Sequence, residues 1–291
     1  MTTETLNAAT SGTFAIGGDL TVNRLGFGAM RITGDGIWGE PKHPEEARKV
    51  LHRAVEAGVN FIDTADSYGP EVSERIIAEA LHPYPKDLVI ATKGGLTRQG
   101  PNKWEPVGRP EYLTQCVEMS LRRLKLERID LYQLHRIDPK VPVEESLGAL
   151  KKLQEAGKIR HIGLSEVSPA EIEQASKTVR IVSVQNRYNF SDREHEPTLN
   201  YCEKHKLGFI PWFPVAAGKL AQAGGSLAGA AKRNGATVAQ LSLAWLLHRS
   251  PVMLPIPGTS SVAHLEENIA AAALKIDQNE WAEIEKSARL K

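Results

Sequence analysis

The sequence predicts a (β/α)8 barrel, in which eight parallel strands close into a cylinder and a helix follows each strand. Two observations carry this prediction. Along the 291 residues, short apolar runs alternate eight times with longer amphipathic stretches. The short runs are apolar at nearly every position, which is typical of parallel strands buried on both faces. An open doubly wound sheet usually has fewer units, so we expect one closed barrel domain over residues 1–291.

The first half of the chain contains four strand–helix units. The first helix is predicted from apolar side chains at helical spacing, among them Ala47, Val50 and Leu51. Pro110 suits the first turn of the third helix, and Gly157 ends the fourth. The four predicted strands are Leu25–Met30, Asn60–Ala65, Leu88–Lys93 and Ile129–His135, and their helices are Glu45–Ala57, Glu71–Leu81, Pro110–Leu124 and Val143–Ala156.

The second half of the chain repeats the pattern. Ser168, Pro169 and Glu171 have the spacing of a capping box with proline at the first helical position, so a helix is expected to begin there. The predicted strands are Ile159–Ser165, Ile181–Tyr188, Gly208–Phe213 and Val252–Ile256. The helices after the last three of these strands are Glu194–Lys204, Thr237–His248 and Val262–Ala273.

Several segments lie outside the repeating units. Thr13–Ile16 and Leu20–Asn23 are expected to form a hairpin before the first strand, and Lys275–Lys291 a helix after the last unit. Gly94–Arg109 and Val215–Gly235 are predicted to be long polar loops. Both follow strands, so both should lie over the C-terminal face of the barrel, where the active sites of this fold occur.

A glycine-rich stretch, Gly34–Gly39, spells G-x-G-x-x-G. A dinucleotide fingerprint leads directly from a strand into a helix, whereas a polar segment follows here, so this interpretation is rejected. We interpret the stretch as a loop at the mouth of the active site, with Trp38 as a candidate substrate contact. Trp104 and Arg98 are candidates for the same pocket from the loop after the third strand.

Composition excludes several functional classes. The chain is 41% hydrophobic and 24% charged, with a formal net charge of +1 and no run of like charges, so nothing indicates binding to nucleic acid or an anionic membrane. We expect a cytoplasmic protein, because residues 1–13 do not resemble a signal peptide and no apolar stretch is long enough to span a bilayer. Cys116 and Cys202 are interpreted as reduced structural thiols. No residue cluster has metal-ligand spacing, so no metal is expected.

Ionisable residues lie at the ends of three neighbouring predicted strands. These are Asp63, Lys93 and His135, and Tyr68 follows in the loop after Asp63. A lysine or carboxylate in an apolar strand is costly to bury alone, so we expect Asp63 and Lys93 to pair. The lysine cation would favour ionisation of Tyr68, and His135 can donate a hydrogen bond to a substrate oxygen. Each residue singly has a structural explanation, but together they suit a reaction in which an oxygen gains a proton while its carbon gains a hydride.

The same residues carry a resemblance to a known family. From Leu25 to Asn268 the sequence resembles the aldo-keto reductases, and the motifs that carry the resemblance are Asn60–Ala65 with Tyr68-Gly69, Ala91–Lys93 and Asp130–His135. The resemblance implies NADPH-dependent reduction of an aldehyde or ketone. It assigns Tyr68 as general acid, Lys93 as the residue that tunes it, Asp63 as the partner that holds Lys93, and His135 as the residue that positions the carbonyl.

The resemblance also implies a set of cofactor contacts. Ser165 would hold the nicotinamide carboxamide, where Glu166 replaces the usual asparagine; Gln185 would be a second amide contact, and Trp212 would stack on the ring. The other implied contacts are Gly28, Met30, Phe213, Pro214, Val215, Gly218, Leu220, Gly258, Thr259, Ser260, His264, Glu267 and Asn268. Many members carry Lys and Arg at the positions of Gly258 and His264, so NADH stays open as an alternative to NADPH.

At a finer level, Asn23–Met30 and Pro257–Leu265 resemble bacterial members related to pyridoxal reductases, which makes pyridoxal a candidate substrate. Two other functions stay open. A Schiff-base aldolase would use Lys93 as its nucleophile, although pairing with Asp63 would keep that lysine charged. A cofactor-binding regulatory module would have little turnover. We expect a small carbonyl compound as partner and a monomer or weak homo-oligomer.

Overall fold

The computed structural model describes residues 6–215 and 226–288. The chain begins with the predicted hairpin of β1 (Thr13–Ile16) and β2 (Leu20–Asn23), which pair antiparallel. The strands that follow are β3 (Phe27–Gly28), β4 (Phe61–Asp63), β5 (Val89–Gly94), β6 (Leu96–Gly100), β7 (Lys103–Pro106), β8 (Ile129–Leu134), β9 (Ile159–Ser165), β10 (Ile181–Gln185) and β11 (Gly208–Phe209). Seven of them form a parallel sheet in the order β11-β10-β9-β8-β5-β4-β3, while β6 and β7 pair with each other.

The predicted eighth strand closes this sheet into a barrel. On one edge, the Phe209 N–H donates to the Val252 carbonyl at 2.9 Å, and the Leu254 N–H donates to the Phe209 carbonyl at 2.8 Å. On the other edge, the Gly26 N–H donates to the Pro255 carbonyl at 2.9 Å. Pro255 lies in this run and Pro257 directly follows it, and proline has no N–H. The run is therefore hydrogen-bonded on both edges without forming a regular ladder. The predicted (β/α)8 fold is confirmed.

Helices surround the barrel, and those that were predicted differ from their expected bounds by up to three residues at the ends that are described; the last residues of the predicted helix Lys275–Lys291 lie outside the described part of the chain. They are α1 (Pro44–Glu56), α2 (Val72–Leu81), α3 (Pro110–Leu124), α4 (Val143–Glu155), α5 (Pro169–Ser176), α6 (Glu196–His205), α7 (Ser226–Arg233), α8 (Val238–Arg249), α9 (Val262–Ala270) and α10 (Gln278–Ala288). The predicted capping box opens α5, where the Ser168 hydroxyl accepts from the Glu171 N–H at 3.3 Å and the Glu171 carboxylate accepts from the Ser168 N–H at 2.7 Å. No helix in the described ranges is long and apolar enough to cross a membrane.

Two predicted loops contain regular structure instead. Gly94–Arg109 was expected to be irregular, but it contains the β6–β7 hairpin, whose turn includes Asn102 in the left-handed region at φ 56°. This prediction was wrong because these strands are polar and lack the apolar alternation that identifies a half-buried strand. In Val215–Gly235, residues 216–225 lie outside the described part of the chain, and Ser226–Arg233 forms α7 rather than a loop.

Four predicted strands are shorter by at least three residues, and among them Asn60–Ala65 is reduced to β4. Leu25–Met30 is reduced to β3, and the chain then turns into a 3-10 helix at Ala29–Ile32. The predicted strand Ile181–Tyr188 ends at Gln185. Gly208–Phe213 is regular only at its first two residues, because Pro211 has no N–H with which to continue the ladder.

The hairpin of β1 and β2 lies at the N-terminal end of the barrel. Ile16 and Val22 are fully buried, and they form one apolar cluster with barrel residues that include Phe61, Val89 and Leu131. Separate apolar clusters fill the space between the sheet and the helices. Since one end of the barrel is filled by the hairpin, a cavity can form only at the other end, where the parallel strands finish.

Candidate active site

A cavity of about 580 Å³ opens at the C-terminal ends of the barrel strands. This volume is within the range of small-molecule and cofactor sites. Its lining residues come from almost every strand end and from the β6–β7 hairpin. They are Gly28, Met30, Arg31, Ile37, Asp63, Tyr68, Leu96, Trp104, Pro106, His135, Arg136, Ser165, Gln185, Trp212, Phe213, Pro214, Val215, Ile256 and Gly258.

At the base of the cavity, Lys93 and Asp63 form the predicted ion pair. The Lys93 Nζ donates to Asp63 Oδ2 at 2.6 Å and to the Thr64 carbonyl at 2.7 Å. Its third contact is the Tyr68 hydroxyl oxygen, 3.3 Å from Nζ. Lys93 is fully buried and Asp63 is 1% exposed, so all three ammonium donors are used inside the protein.

Two glutamine side chains hold the second oxygen of Asp63. The Gln133 amide donates to Oδ1 at 3.0 Å and the Gln185 amide donates to the same atom at 2.8 Å. The carboxylate therefore has hydrogen-bond donors on both oxygens, which offsets the cost of burying it. Gln185 was predicted as a cofactor contact and does line the cavity. Gln133 lies within the Asp130–His135 motif but was given no role, because an uncharged side chain inside a strand is not by itself a signal of a site.

The charge of this pair is set by burial and by the neighbours together. Burial alone would lower the pKa of Lys93, but Asp63 and Tyr68 hold that pKa above its ordinary value. Burial raises the pKa of Tyr68, and the Lys93 cation opposes this rise without overcoming it. We expected the cation to lower the pKa of the phenol; it acts in that direction, but desolvation is the larger effect. Tyr68 is therefore protonated at neutral pH and is a proton donor.

His135 lies beside Tyr68 and is uncharged. The two rings meet edge to face, with centroids 5.9 Å apart and an interplanar angle of 81°. Burial lowers the pKa of His135 well below its ordinary value, and the cations Lys93 and Arg136 lower it further. Nδ1 lies 3.3 Å from the Ser67 hydroxyl oxygen, which leaves the other ring nitrogen for a ligand in the cavity. Asp63, Tyr68, Lys93 and His135, hereafter the candidate tetrad, thus lie together at one end of the barrel.

Arg98 fixes the outer wall of the cavity. Its guanidinium carbon lies 3.6 Å from the centre of the Trp104 ring, and it donates to the backbone carbonyls of Ile37 and Ser67. Trp104 meets Tyr68 edge to face with centroids 6.3 Å apart, so this predicted substrate contact does face the candidate tetrad. Trp38 is 37% exposed and is not part of the cavity lining within the described ranges.

Glu166 replaces the asparagine that is usual in the family, and it orients an aromatic ring. Its Oε1 accepts from the Trp212 indole N–H at 2.6 Å and from the Arg187 backbone N–H at 2.7 Å. An ionised carboxylate accepts hydrogen bonds but cannot donate them, so it suits two N–H donors. Glu166 therefore holds Trp212, which lines the cavity, rather than projecting into solvent.

The other predicted cofactor residues divide into three groups. Those that line the cavity are Gly28, Met30, Ser165, Gln185, Trp212, Phe213, Pro214, Val215 and Gly258. Those outside the cavity lining, among the residues described, are Glu166, Thr259, Ser260, His264, Glu267 and Asn268. Gly218 and Leu220 lie outside the described residues.

Two glycines bring backbone close to backbone at the rim. A Cβ on Gly28 would lie 2.5 Å from the Ile256 carbonyl oxygen, and a Cβ on Gly258 would lie 2.5 Å from the Gly28 carbonyl oxygen. Neither position has room for a side chain. The Arg31 Cγ would lie 3.6 Å from a Cβ on Gly258, and Arg31 also lines the cavity, so a cationic residue lies near this rim. Neither Arg31 nor Arg136 was predicted, because single arginines in loops are too common to be a signal.

Comparison with known proteins decides the family. A family model described as the aldo/keto reductase family matches residues 24–289. This chain belongs to that family. The predicted fold and the prediction of an oxidoreductase are confirmed with it.

The relatives extend over nearly the whole chain. An uncharacterized oxidoreductase of Schizosaccharomyces pombe is 51% identical over 284 residues, covering 98% of this chain and 92% of the relative. Pyridoxine 4-dehydrogenase of Escherichia coli is 42% identical over 274 residues, covering 92% of this chain and 95% of the relative. The resemblance to pyridoxal reductases therefore has a counterpart among curated proteins.

Solved structures agree with this assignment. The glycerol dehydrogenase of Gluconobacter oxydans has a TM-score of 0.85 and 27% identity, covering 95% of this chain and 94% of the other. An aldo-keto reductase of Klebsiella pneumoniae, solved in complex with NADPH, has a TM-score of 0.81 and 26% identity, covering 94% of each chain.

Proposed function

We propose that this protein reduces an aldehyde or ketone to the alcohol by hydride transfer from NADPH. The observation that carries the proposal is the buried Lys93–Asp63 pair, whose ammonium lies 3.3 Å from the Tyr68 hydroxyl oxygen at the base of a cavity. A protonated phenol beside a fixed cation is suited to donate a proton and to be stabilised as the phenolate that remains.

Several cavity residues fit a nicotinamide cofactor, which supplies the hydride when bound. Trp212 has a ring at the cavity wall that is held by Glu166, and a flat aromatic surface suits stacking on the nicotinamide. Ser165 and Gln185 present polar groups for the carboxamide. NADPH is preferred to NADH in this proposal because family members bind it and because Arg31 lies beside Gly258.

Each member of the candidate tetrad has a separate role in transferring the proton. The free N–H of neutral His135 donates to the carbonyl oxygen and fixes its position. Tyr68 passes its hydroxyl proton to that oxygen as the carbon gains hydride, so that the carbonyl becomes an alcohol. Lys93 stabilises the resulting phenolate until Tyr68 regains a proton from solvent, and Asp63 keeps the ammonium charged.

An aldehyde panel tests this function. The purified protein is incubated with NADPH and pyridoxal, methylglyoxal or an aromatic aldehyde, and loss of NADPH absorbance and formation of alcohol are measured. We expect multiple turnovers with at least one compound, and pyridoxal is a candidate because a relative is named pyridoxine 4-dehydrogenase. No turnover with any aldehyde would favour a cofactor-binding module instead.

The aldolase alternative is disfavoured by the surroundings of Lys93. A Schiff base requires a neutral amine, whereas Asp63 and Tyr68 hold the pKa of Lys93 above its ordinary value. All three donors of the ammonium are also already engaged. Borohydride treatment in the presence of an aldehyde should therefore leave Lys93 unmodified, and a covalent adduct on Lys93 would favour the aldolase.

Removing the Glu166 carboxylate is expected to weaken NADPH binding. Glu166→Leu deprives the Trp212 indole of a charge-assisted hydrogen bond, so the dissociation constant, measured by the fluorescence of bound NADPH, should rise about tenfold. Glu166→Gln keeps an acceptor oxygen for the indole N–H, so its dissociation constant for NADPH should rise much less. Glu173→Leu, on the exposed face of α5, is the matched control. Equal affinities for the Leu variant and the control would contradict the positioning of Trp212 by Glu166.

A further inference from the structure

Arg136 is a half-buried cation beside the candidate tetrad, and no carboxylate among the described residues forms an ion pair with it. It follows His135 just beyond the end of β8 and lines the cavity. Through space, its charge lowers the pKa of both Tyr68 and His135. Arg136 therefore lies close to the site where the carbonyl oxygen is bound in the proposed function.

Only part of the Arg136 guanidinium is engaged. Its Nη1 donates to the His135 carbonyl at 2.6 Å and to the Ser165 hydroxyl at 2.9 Å. Within residues 6–215 and 226–288, Nε and Nη2 have no hydrogen-bond acceptor and no carboxylate forms an ion pair with the group. Two nitrogens of a fixed, planar fork, with three N–H groups between them, are thus free for a ligand in the cavity.

Among half-buried arginines of the described residues, Arg123 and Arg249 pair with carboxylates, whereas Arg24 donates to the backbone carbonyls of Leu247 and Ser250. Arg123 donates to Glu74 at 2.6 Å, and Arg249 donates through Nε to Glu196 at 2.9 Å. Burial lowers the pKa of Arg136, and the Glu166 carboxylate opposes this through space without a hydrogen bond to the guanidinium. A guanidinium that is partly desolvated and lacks its own anion favours an anionic ligand.

The other cations near the cavity are not placed to bind an anionic ligand beside His135. The three donors of Lys93 are used within the candidate tetrad. Arg98 donates to backbone carbonyls and stacks on Trp104. Arg31 is exposed and lies at the Gly258 rim rather than beside His135. An anionic group next to the reacting carbonyl would therefore meet Arg136.

We propose that Arg136 selects substrates in which an anionic oxygen group lies beside the carbonyl group. The two groups are attached to neighbouring atoms, and the anionic group is a carboxylate or an ionised hydroxyl. The inference rests on the proposed function and names its substrate class. Pyridoxal belongs to this class, because its ring carries an acidic hydroxyl on the carbon next to the one that bears the formyl group. A carboxylate or phenolate there accepts from the free donors while His135 and Tyr68 hold the carbonyl oxygen.

A matched pair of aldehydes tests the inference. 2-Carboxybenzaldehyde and 2-nitrobenzaldehyde carry planar substituents of similar size, and only the first is anionic. With Arg136→Met, kcat/KM for the carboxylate should fall about 10- to 100-fold, the value of a charge-assisted hydrogen bond, and that for the nitro compound less than about threefold. Each variant is compared with wild type on the same substrate, so the intrinsic reactivity of the two aldehydes cancels.

Three controls separate recognition from structure. Arg136→Lys keeps a charge without the planar fork and should recover part of the lost rate with the carboxylate. Arg128→Met makes the same charge change at the exposed, opposite end of β8 and should leave both rates unchanged. The affinity for NADPH, measured by fluorescence, should fall less in Arg136→Met than kcat/KM for the carboxylate, since Arg136 reaches the proposed cofactor site only through the Ser165 hydroxyl. An equal fall with both aldehydes, or no fall with either, would overturn the inference.

A binding measurement decides the inference independently of turnover. The alcohol 2-(hydroxymethyl)benzoate is titrated calorimetrically into the NADP-bound protein, with 2-nitrobenzyl alcohol as the neutral counterpart. Wild type should bind the anion more tightly, and Arg136→Met should remove that preference. If no aldehyde is reduced but the preference exists and depends on Arg136, the proposed function fails and the anion site stands. If aldehydes are reduced without any such preference, only the anion site fails.

Discussion

Tyr68→Phe is expected to lower kcat for NADPH-dependent aldehyde reduction by about a thousandfold, because it removes the proton that the product alcohol requires. The variant should bind NADPH as wild type does, since the phenol lies at the base of the cavity. Tyr201→Phe, on the outer helix α6, is the control and should keep full activity. Both rates are measured under multiple-turnover conditions. Unchanged reduction by Tyr68→Phe would exclude Tyr68 as the acid.

The pH dependence of the wild-type reaction follows from the same group. Burial raises the pKa of Tyr68, so the acid form persists at neutral pH and is lost only as pH rises above the ordinary range of a phenol. The rate of reduction should therefore be insensitive to ionisation of Tyr68 near pH 7 and fall in strongly alkaline solution. Tyr68→Phe should lack that alkaline limb.

Lys93→Met is expected to impair both stability and activity, and the two effects can be separated. The single variant leaves the Asp63 carboxylate buried without its counter-ion, which should lower the free energy of unfolding by about 3–5 kcal/mol. In Asp63→Asn/Lys93→Met no charge is left unpaired, and the Gln133 and Gln185 amides can still donate to the Asn oxygen.

The double variant should therefore recover much of the lost stability but none of the activity, since the cation beside Tyr68 is absent. Urea unfolding and kcat are measured on the same preparations. A single variant as stable as wild type, or a double variant with restored activity, would contradict the role assigned to the pair.

Much of the barrel was predictable because its determinants are local. Strands buried on both faces are continuously apolar, and helix starts such as Ser168 to Glu171 carry their own capping pattern. The hairpin of β6 and β7 was missed because its residues are polar and partly exposed. The predicted eighth strand, Val252–Ile256, was recognised from its apolar residues. Its irregular pairing was not predictable, because the backbone hydrogen bonds that close the barrel depend on tertiary structure.

The candidate site was predictable where a charged residue ends an apolar strand. Asp63 and Lys93 stood out because burying either alone is costly. The direction of the pKa shift of Tyr68 was not predictable from the sequence. Burial raises this pKa and the Lys93 cation lowers it, and which effect is larger depends on how completely the loop is enclosed. Gln133 and Arg136 were missed because neither residue type is a signal by itself, and the contacts that each makes are known only from the tertiary structure. The single domain, the state of association and the cytoplasmic location stay predictions.

The central claim is that hydride passes from the nicotinamide ring to a carbonyl carbon. It is tested most directly with NADPH deuterated at both C4 positions and an aldehyde from the panel, with the alcohol analysed by mass spectrometry and NMR. We expect one deuterium per molecule of alcohol, attached to the former carbonyl carbon, in amounts equal to the NADPH oxidised. Alcohol without deuterium at that carbon, or NADPH oxidation without alcohol, would contradict the proposed reaction.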